Sequence, residues 1–383
     1  MILSNNSNKK YFLKYFESLQ DIRQKGKIKH KLIDIIIIVV CACMCNIDEW
    51  ESIELFAKAH YEWFKQFLEL PNGIPSHDTI ERVFRWINPK EFKTCFINWV
   101  ESIREAVKGE IISIDGKTVK GSKEVGKEAI HIVNVWANSN HLIIGQMKVA
   151  DKSNEITAIP ELIKILDLSE CIITIDAMGC QKEIAKEIVK KKSDYVLALK
   201  GNHKNMHEDV SDFLDEMITK RFKDGSEQIP YDYYEKVEKG HGRIEKRKYW
   251  ITNKIEWLVN YKQWDKFSTV GVVEATREIN GKKSVERRYY ISSLSMEAKV
   301  FANAVRSHWG IENKVHWLLD AVFGEDKSKI RKENSPENMA IARQIGINLL
   351  RKAPIEKMSV KARSLTALMD NNYKERALFG DKI

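Results

Sequence analysis

The sequence predicts an α/β protein in which a mixed β-sheet carries the chemistry and a helical region precedes it. Two segments support this prediction, IISIDG and CIITIDAMG, because each is apolar and β-branched, ends on an aspartate and then turns through a glycine. The two aspartates are Asp115 and Asp176. Residues 11–105 differ, since their apolar side chains recur at helical spacing. Two strand-end carboxylates can share divalent ions that act on a phosphodiester, so we expect the chemistry at the sheet.

Helices are expected over 11–105, and we predict that residues 1–105 form a helical N-terminal domain. One buried helix is predicted over 32–45 and another from about Asp48. Ser76 is expected to cap a third helix that begins near Asp78 and turns two arginines outward. Two interpretations stay open for this region, a small DNA-binding unit or a helical scaffold packed on the next domain.

The periodicity changes from helical to strand-like at Ile111. The predicted elements are, in order, strands 111–115, 130–137 and 142–149, helix 155–166, strand 171–176, helix 180–191 and strand 194–198. This order gives a mixed sheet with helices on its faces and matches the RNase H-like arrangement, in which the first and fourth strands lie side by side. Asp115 and Asp176 would then be neighbours in space.

Three further domains are predicted after the helical region. They are the first part of the RNase H-like core over 106–203, a mainly β insertion over 204–294, and the completion of the core, with a catalytic helix and a helical tail, over 295–383. Within them, helices are expected over 204–221, 296–319 and 336–351, and strands over 247–252, 268–278 and 287–294.

Composition favours a polyanionic partner, because 63 Lys and Arg residues outweigh 54 Asp and Glu residues and give a net charge of +9. Six cysteines form no CxxC pair, and those of the run CACMC are expected to be small buried hydrophobes, which suits a reducing compartment. The apolar run 35–45 is too short to cross a bilayer, which takes roughly 20 residues. These features predict a soluble cytoplasmic protein that associates with the nucleoid and not with membranes.

A third carboxylate is expected on the helix over 296–319. Glu312 lies four positions after His308 and four before His316, and Asp320 follows at the same spacing. These residues therefore share one helical face. Apolar residues and the tryptophans Trp309 and Trp317 interleave with these polar groups, so the helix is expected to be largely buried and its polar face to meet polar partners. Glu312 is the predicted third metal ligand. Asp320, Glu325 and Asp326 remain alternatives for that role, and a surface helix held by ion pairs is the alternative for the whole segment.

Basic residues in two places are candidates for DNA binding. The segment HGRIEKRKYW places cations beside two aromatic rings on a turn and strand, with His241, Arg243 and Arg247 as the candidates. A solvated hairpin is the alternative interpretation. A second group is expected near the strand ends, where it could hold the strand being cut: Lys117, Lys120, Lys200 and Asn202.

Seven motifs together resemble the H-repeat-associated family of DDE transposases from bacterial insertion sequences. They are GIPSHDTIERVF, IDGKTVKGS, DKSNEITAIPEL, TIDAMGCQKEIA, YVLALKGN, GHGRIEKR and HWGIENKVHWLLDAVFGED, and they span nearly the whole chain. The resemblance implies an RNase H-like core, a β insertion before the last acidic helix, and a magnesium-binding triad of Asp115, Asp176 and Glu312. It also implies that Mn²⁺ can substitute for Mg²⁺, and that a homodimer binds double-stranded DNA at the element ends and the target.

The sequence departs from the wider superfamily around Glu312. Many related enzymes carry Tyr-x2-Arg-x3-Glu-x6-Lys there, whereas this chain has Val305, His308 and Leu319. Arg306 or His308 would therefore have to replace the missing arginine. The function implied is a transposase that cuts element ends and joins the 3′-hydroxyls to target DNA. A metal-dependent nuclease without strand transfer and a non-catalytic DNA-binding descendant of a transposase are the alternatives.

Overall fold

The computed structural model describes residues 12–150, 153–219, 229–240, 243–279, 282–353 and 357–380. Within these residues one mixed sheet has the strand order β3-β2-β1-β4-β5-β9-β8-β7-β6. The strands are β1 Ile111–Thr118, β2 His131–Ala137, β3 Leu142–Lys148, β4 Ile172–Ile175, β5 Asp194–Leu199, β6 Asp232–Gly240, β7 Arg243–Thr252, β8 Thr269–Ile279 and β9 Lys282–Ser292. The predicted mixed α/β class is confirmed.

The pairing of β1 determines where the two strand-end aspartates lie. This strand is antiparallel to β2 and parallel to β4, and its last pair with β4 joins Ile114 to Ile175. Asp115 and Asp176 directly follow this pair, so they are neighbours where the β1–β4 pairing ends. The predicted end of the first strand at Asp115 is wrong, because β1 runs on through Gly116 to Thr118 and stays paired with β2. Their predicted proximity follows from parallel pairing of two buried strands.

Strands β6 to β9 form an antiparallel meander that extends the same sheet. The connection is made by β9, which pairs with β5 through Leu197 and Ile291. The strands expected between 204 and 294 therefore continue the sheet of β1–β5 and bring β9 next to the strand-end carboxylates. The domain limits at 204 and 294 stay a prediction.

The helices cover both faces of the sheet and form the N-terminal region. They are α1 Leu32–Met44, α2 Trp50–Ala59, α3 Tyr61–Phe64, α4 His77–Trp86, α5 Pro89–Ile103, α6 Glu155–Ile165, α7 Lys182–Lys190, α8 Lys204–Thr219, α9 Ala298–Ile311, α10 Ser335–Lys352, α11 Val360–Met369 and α12 Asn371–Phe379. Helix α9 packs across β1, β4 and β7. Its Phe301 ring fills the space above Gly271, where a Cβ would lie 2.7 Å from the ring.

Helix α10 joins the N-terminal helices to the sheet. It passes so close to α1 that a Cβ on Gly346 would lie 2.9 Å from the Met44 backbone nitrogen. Asn338 of α10 donates to the carbonyls of Phe84 and Ile87 at the end of α4. The N-terminal helices are therefore packed on the rest of the protein. Their DNA-binding role stays a prediction, because this packing does not test it.

One local expectation is wrong. Ser76 occupies the N-cap position of α4, but its side chain makes no capping hydrogen bond and instead contacts the Thr79 hydroxyl at 3.2 Å. The free backbone N–H of His77 donates to the Glu54 carboxylate at 2.7 Å. A tertiary contact thus replaces the local cap.

In the described part of the chain, we find no helix that is both long and apolar enough to cross a membrane.

Candidate active site

Backbone N–H groups of the residues that follow hold the two aspartates. Asp115 accepts a hydrogen bond from the N–H of Gly116, the next residue of β1, at 3.0 Å. Asp176 accepts from the N–H groups of Met178 and Gly179, in the loop after β4, at 3.0 and 3.3 Å. In each case these bonds fix Oδ1, and the second carboxylate oxygen can serve as a metal ligand.

A third carboxylate at this edge comes from Glu155, which we did not predict as a site residue. Oxygen atoms of Asp115, Glu155 and Asp176 all lie within 4.8 Å of one another. Glu155 begins α6, and its Oε1 lies 2.6 Å from Nε2 of His131. The other nitrogen of this imidazole lies 2.9 Å from the Thr118 hydroxyl, so two strands and a helix end fix the Glu155 side chain.

Glycine is required beside Glu155 for steric reasons. A Cβ on Gly116 would lie 2.0 Å from Oε1 of Glu155 and 2.4 Å from Nε2 of His131. The sequence contains a usable signal for this residue, because Glu155 directly follows the helix cap Asn154 after the third strand. A helix that begins there starts beside Asp115 and Asp176.

Glu312 approaches the same site from the helix side. Ligand atoms of Asp115, Glu312 and His316 lie within 4.8 Å of one another, and Nδ1 of His316 is 3.6 Å from Oδ2 of Asp115. Glu312 and Asp176 line one cleft of about 250 Å³. The geometry brings the three predicted triad residues together, and their role as metal ligands stays a prediction.

The helix that carries Glu312 differs from the single α-helix expected over 296–319. Helix α9 ends at Ile311 and continues as two π-helical segments, Glu312–His316 and Leu318–Val322. A π-helix has a wider turn than an α-helix, and short π segments are frequent at functional sites. The widening begins at Glu312, the residue that faces Asp115.

The tryptophans of this helix are not buried as expected. Trp309 is 40% exposed and Trp317 is 60% exposed, whereas Val315, Leu318 and Leu319 are buried. The apolar residues therefore hold the helix on the sheet, and the two large rings are left on its outer side.

The alternative third carboxylates lie in a separate ion-pair cluster. The Lys117 ammonium, only 7% exposed, is 2.7 Å from Asp320, 2.8 Å from Glu325 and 3.4 Å from Asp326. Arg343 adds a second cation 3.6 Å from Glu325. These carboxylates are engaged by cations, and so is Lys117, which we expected to contact DNA.

The electrostatics of the cleft suit a divalent cation. Burial, followed by the charges of Asp176, Glu312 and Glu155, raises the pKa of Asp115 to about 8. Burial and Glu155 also raise the pKa of Asp176. Several crowded carboxylates with oxygen ligands are what hard cations such as Mg²⁺ bind, because the cation relieves their mutual repulsion. The residues present therefore fit the metal that the sequence implies.

Two histidines next to the carboxylates are neutral at pH 7. Burial lowers the pKa of His308 to about 4, and burial together with Lys117 does the same for His316. Nδ1 of His308 lies 3.1 Å from the Thr174 hydroxyl. As neutral imidazoles, they can each donate one hydrogen bond and accept another beside the cleft.

Of the predicted DNA contacts, two border the cleft directly. Lys200 and His308 line it, together with Arg288 of β9. Arg306 lies on the adjoining groove, 44% exposed and 3.8 Å from Glu238. Asn202 instead holds the loop after β4, donating to the Ala177 carbonyl at 2.6 Å.

The remaining candidates lie further out. Lys120 is exposed and 3.3 Å from Asp326. Arg247 pairs with Glu238 and with Glu245, the latter at 2.6 Å. Arg243 begins β7 opposite Gly240, and His241 lies outside the described residues.

Comparisons with known proteins agree on one family. Residues 107–349 match the family described as "Transposase DDE domain", and residues 13–100 match "DDE_Tnp_1-associated". The chain is 41% identical over 372 residues to "Putative transposase YncI" of Escherichia coli O157:H7, covering 96% of this chain and 94% of that protein. It is 38% identical over 378 residues to "H repeat-associated putative transposase YhhI" of Escherichia coli strain K12, covering 97% and 98%.

One solved structure aligns with most of the chain. It is a piggyBac transposase in a synaptic complex with hairpin DNA, with a TM-score of 0.47 and 13% identity, covering 95% of this chain and 79% of that one. A shorter relative, "Inactive transposase YbfQ" of Escherichia coli strain K12, is 40% identical over 74 residues, covering 19% of this chain and 88% of that protein.

Proposed function

This chain belongs to the DDE transposase family, among its H-repeat-associated members, and we propose that it cuts the ends of an insertion sequence and joins the freed 3′-hydroxyls to target DNA. The observation that carries the proposal is the meeting of Asp115, Asp176 and Glu312 at one cleft. These residues come from β1, from the end of the parallel strand β4 and from a helix, and they are far apart in the sequence. Their convergence supports a common chemical role.

The proposed catalytic core is RNase H-like. The strand order β3-β2-β1-β4-β5, with β1 parallel to β4 and antiparallel to β2, supports this assignment. In this proposal residues 1–105 are the N-terminal domain, 204–294 are an insertion, and 295–383 complete the core. The insertion contributes Arg288 to the wall of the cleft, which supports a part in holding DNA.

The proposed metal ligands are Asp115, Asp176 and Glu312, with Glu155 as a fourth carboxylate within reach of the first two. Mg²⁺ is the proposed ion and Mn²⁺ its substitute, since both take oxygen ligands. Divalent ions held by these residues would activate a water or the 3′-hydroxyl of the DNA as the nucleophile and would stabilise charge on the attacking and leaving oxygens. The raised pKa values of the Asp115 and Asp176 carboxyls support this assignment.

The other residues of the cleft position the DNA. Lys200 and Arg306, both exposed, are the proposed phosphate contacts, with Lys120 further along the strand end. His308 is the proposed hydrogen-bond donor near the reacting phosphate, because its neutral imidazole can donate without adding charge. Asn202 positions the loop that follows Asp176. Four further DNA contacts remain predictions: Lys117, His241, Arg243 and Arg247. A homodimer on double-stranded DNA also remains a prediction.

The test is an incubation of purified protein with Mg²⁺ and a linear duplex that carries the gene and its flanking DNA, together with a target plasmid. Joined products are expected. Products that are cut but not joined would indicate a nuclease, and binding alone would indicate a non-catalytic descendant of a transposase.

Substitution of the triad sharpens this test. Asp115→Asn, Asp176→Asn and Glu312→Gln should each abolish cleavage while DNA binding persists, because each removes a ligand charge and little volume. The matched control is Glu161→Gln on α6, an exposed carboxylate that pairs with Lys164 alone among the described residues, and this variant should cleave like the wild type. Full cleavage by any triad variant would remove that residue from the proposed site.

A further inference from the structure

A second cavity lies beside the catalytic helix, on the side away from the carboxylates. It has a volume of about 520 Å³, and Trp136, Lys314, Trp317 and Arg351 are among the residues that line it. We call this cavity the arginine pocket and describe it by these four residues. The Trp136 ring is completely buried at the base of the pocket, and Trp317 is 60% exposed at the rim of the pocket. Neither the metal site nor the predicted DNA contacts include any of the four.

Among the described residues, no counter-charge is paired with the cation in the pocket. The Arg351 guanidinium stacks on the Trp136 ring at 4.3 Å, and its Nη2 donates to the Lys314 carbonyl. Nη1 is inaccessible to solvent and has no hydrogen-bond partner within the ranges that the structure describes. The Lys314 ammonium lies 6.0 Å from the same ring. Across those ranges no carboxylate forms an ion pair with Arg351 or Lys314.

The energetics of this arrangement favour an anion in the pocket. Burial lowers the pKa of Arg351 to about 9, and burial together with Arg351 lowers the pKa of Lys314. Taking a cation out of water without pairing it is unfavourable, and protein cations in such positions normally have a partner. Two neighbouring cations suit a phosphate, and an exposed indole at the rim suits a nucleobase.

The location of the pocket connects it to the catalytic cleft. Trp136 of β2 pairs with Ser113 of β1. Ser113 lies two residues before Asp115, a distance of about 7 Å along the strand. Between the two sites the outer side of the helix presents Trp309 and Asn313. Asn313 lines both the arginine pocket and the groove beside Arg306, so the surface is continuous from one site to the other.

We propose that the arginine pocket binds a phosphate and its neighbouring base on the DNA strand that leaves the catalytic cleft and crosses the outer side of the helix. This inference rests on the proposed function, because it takes DNA to be the ligand of the cleft. In it, Arg351 and Lys314 bind the phosphate, and Trp317 stacks on the base. The pocket is a binding site and carries no catalytic group.

The experiment measures DNA affinity in EDTA, by fluorescence anisotropy, for a duplex with a single-stranded 3′ extension and for the same duplex with blunt ends. Trp317→Ala should weaken binding of the extended duplex about tenfold without changing the salt slope, since base stacking involves no counterion release. Trp317→Phe should restore most of that affinity. Lys314→Ala should weaken binding and flatten the slope of log affinity against log salt by about one unit.

A matched control separates a local effect from a loss of net charge. Lys186 is an exposed lysine on α7, across the sheet from the pocket and paired only with Glu183 among the described residues. Lys186→Ala should leave affinity and salt slope unchanged. Melting temperatures of all variants show whether they are folded, and Trp317 and Lys314 are exposed enough for their replacement to leave the core intact.

Several results would overturn the proposal. Wild-type affinity in both pocket variants would do so, as would inorganic phosphate binding at the pocket with no effect on DNA. Loss of a DNA-free dimer in the variants, with unchanged DNA affinity, would assign the pocket to an acidic segment of a second copy. If the wild type cleaves DNA and the variants bind normally, the pocket proposal fails alone. If the variants lose affinity but the wild type does not cleave, the catalytic proposal fails alone.

Discussion

Gly116→Ala is the substitution that tests most directly whether Glu155 belongs to the active site. The new Cβ would lie 2.0 Å from Oε1 of Glu155 and 2.4 Å from Nε2 of His131. Gly116 does not have a positive φ, so alanine is compatible with its backbone. The perturbation is therefore steric and acts on the Glu155–His131 pair.

The expected magnitude follows from the contact distances. Ordinary van der Waals contact begins at about 3.4 Å, so the Glu155 oxygen must move by about 1.4 Å. A displacement of about 1 Å in an active site can reduce the rate by on the order of 100-fold. Overpacking usually costs about 1–3 kcal/mol, and the low end applies here because the Glu155 side chain can rotate away from β1. We therefore expect a large loss of cleavage and a small loss of stability.

The assay compares single-turnover cleavage rates in Mg²⁺ with melting temperatures measured on the same preparations. Gly201→Ala is the matched control, because a Cβ at that position meets no atom within 4 Å among the described residues. It should cleave like the wild type. Glu155→Gln should lose activity without steric strain, which shows whether the carboxylate charge matters.

A double substitution tests whether Gly116 acts through Glu155. Glu155→Asp shortens the side chain by one carbon, about 1.5 Å, and so makes room for the alanine methyl group. If the two positions act together, Gly116→Ala combined with Glu155→Asp loses no more activity than the more damaging single change. Wild-type cleavage by Gly116→Ala, at an unchanged melting temperature, would refute the reasoning and leave Glu155 outside the site.

Three further predictions concern the charges around the cleft. In the absence of metal, the pKa of Asp115 is raised from 3.8 to about 8, so the folded state retains a proton that the unfolded state has released. The free energy of unfolding should therefore fall as pH rises from about 4 to about 8. Melting curves of Asp115→Asn should not show this pH dependence. Arg306→Ala should reduce the slope of log DNA affinity against log salt by about one unit. Arg247→Ala should change this slope less, because two glutamates already neutralise Arg247. Lys117→Met should destabilise the fold by about 3 kcal/mol, because it breaks the 2.8 Å pair of Lys117 with the buried Glu325 and leaves that carboxylate with Arg343 at 3.6 Å. Lys120→Met, at an exposed pair, should cost about 1 kcal/mol or less in the same denaturant titration.

The features that could be predicted from the sequence are those set by local pattern. Two apolar β-branched runs that end on aspartates predicted two adjacent parallel strands, and the pairing of Ile114 with Ile175 confirms that adjacency. The family resemblance is likewise confirmed, because its motifs are continuous stretches of sequence. Helical periodicity located the segment around Glu312, since its buried residues recur on one face.

The features that were missed depend on contacts between distant parts of the chain. Lys117 stands in a basic stretch that suggested a DNA contact, yet its ammonium pairs with three carboxylates about 200 residues later. Nothing local distinguishes a lysine that meets phosphate from one that meets glutamate. The exposure of Trp309 and Trp317 was missed for a related reason, because an alternating pattern of rings and polar groups fits both a buried helix and a helix with a ligand-binding outer side.

The helical segment that follows Ile311 supplies two different surfaces. The sequence places Glu312, His316 and Asp320 on a single face at spacings of four. The structure keeps this order along β1, because Glu312 and His316 lie beside Asp115 while Asp320 pairs with Lys117, two residues further on the same face of the strand. Lys314 and Trp317 lie off this polar face and line the arginine pocket with Arg351. Eleven residues, 312–322, that adopt π-helical turns therefore contribute to the proposed metal site, to the ion-pair cluster of Lys117 and to the proposed anion pocket.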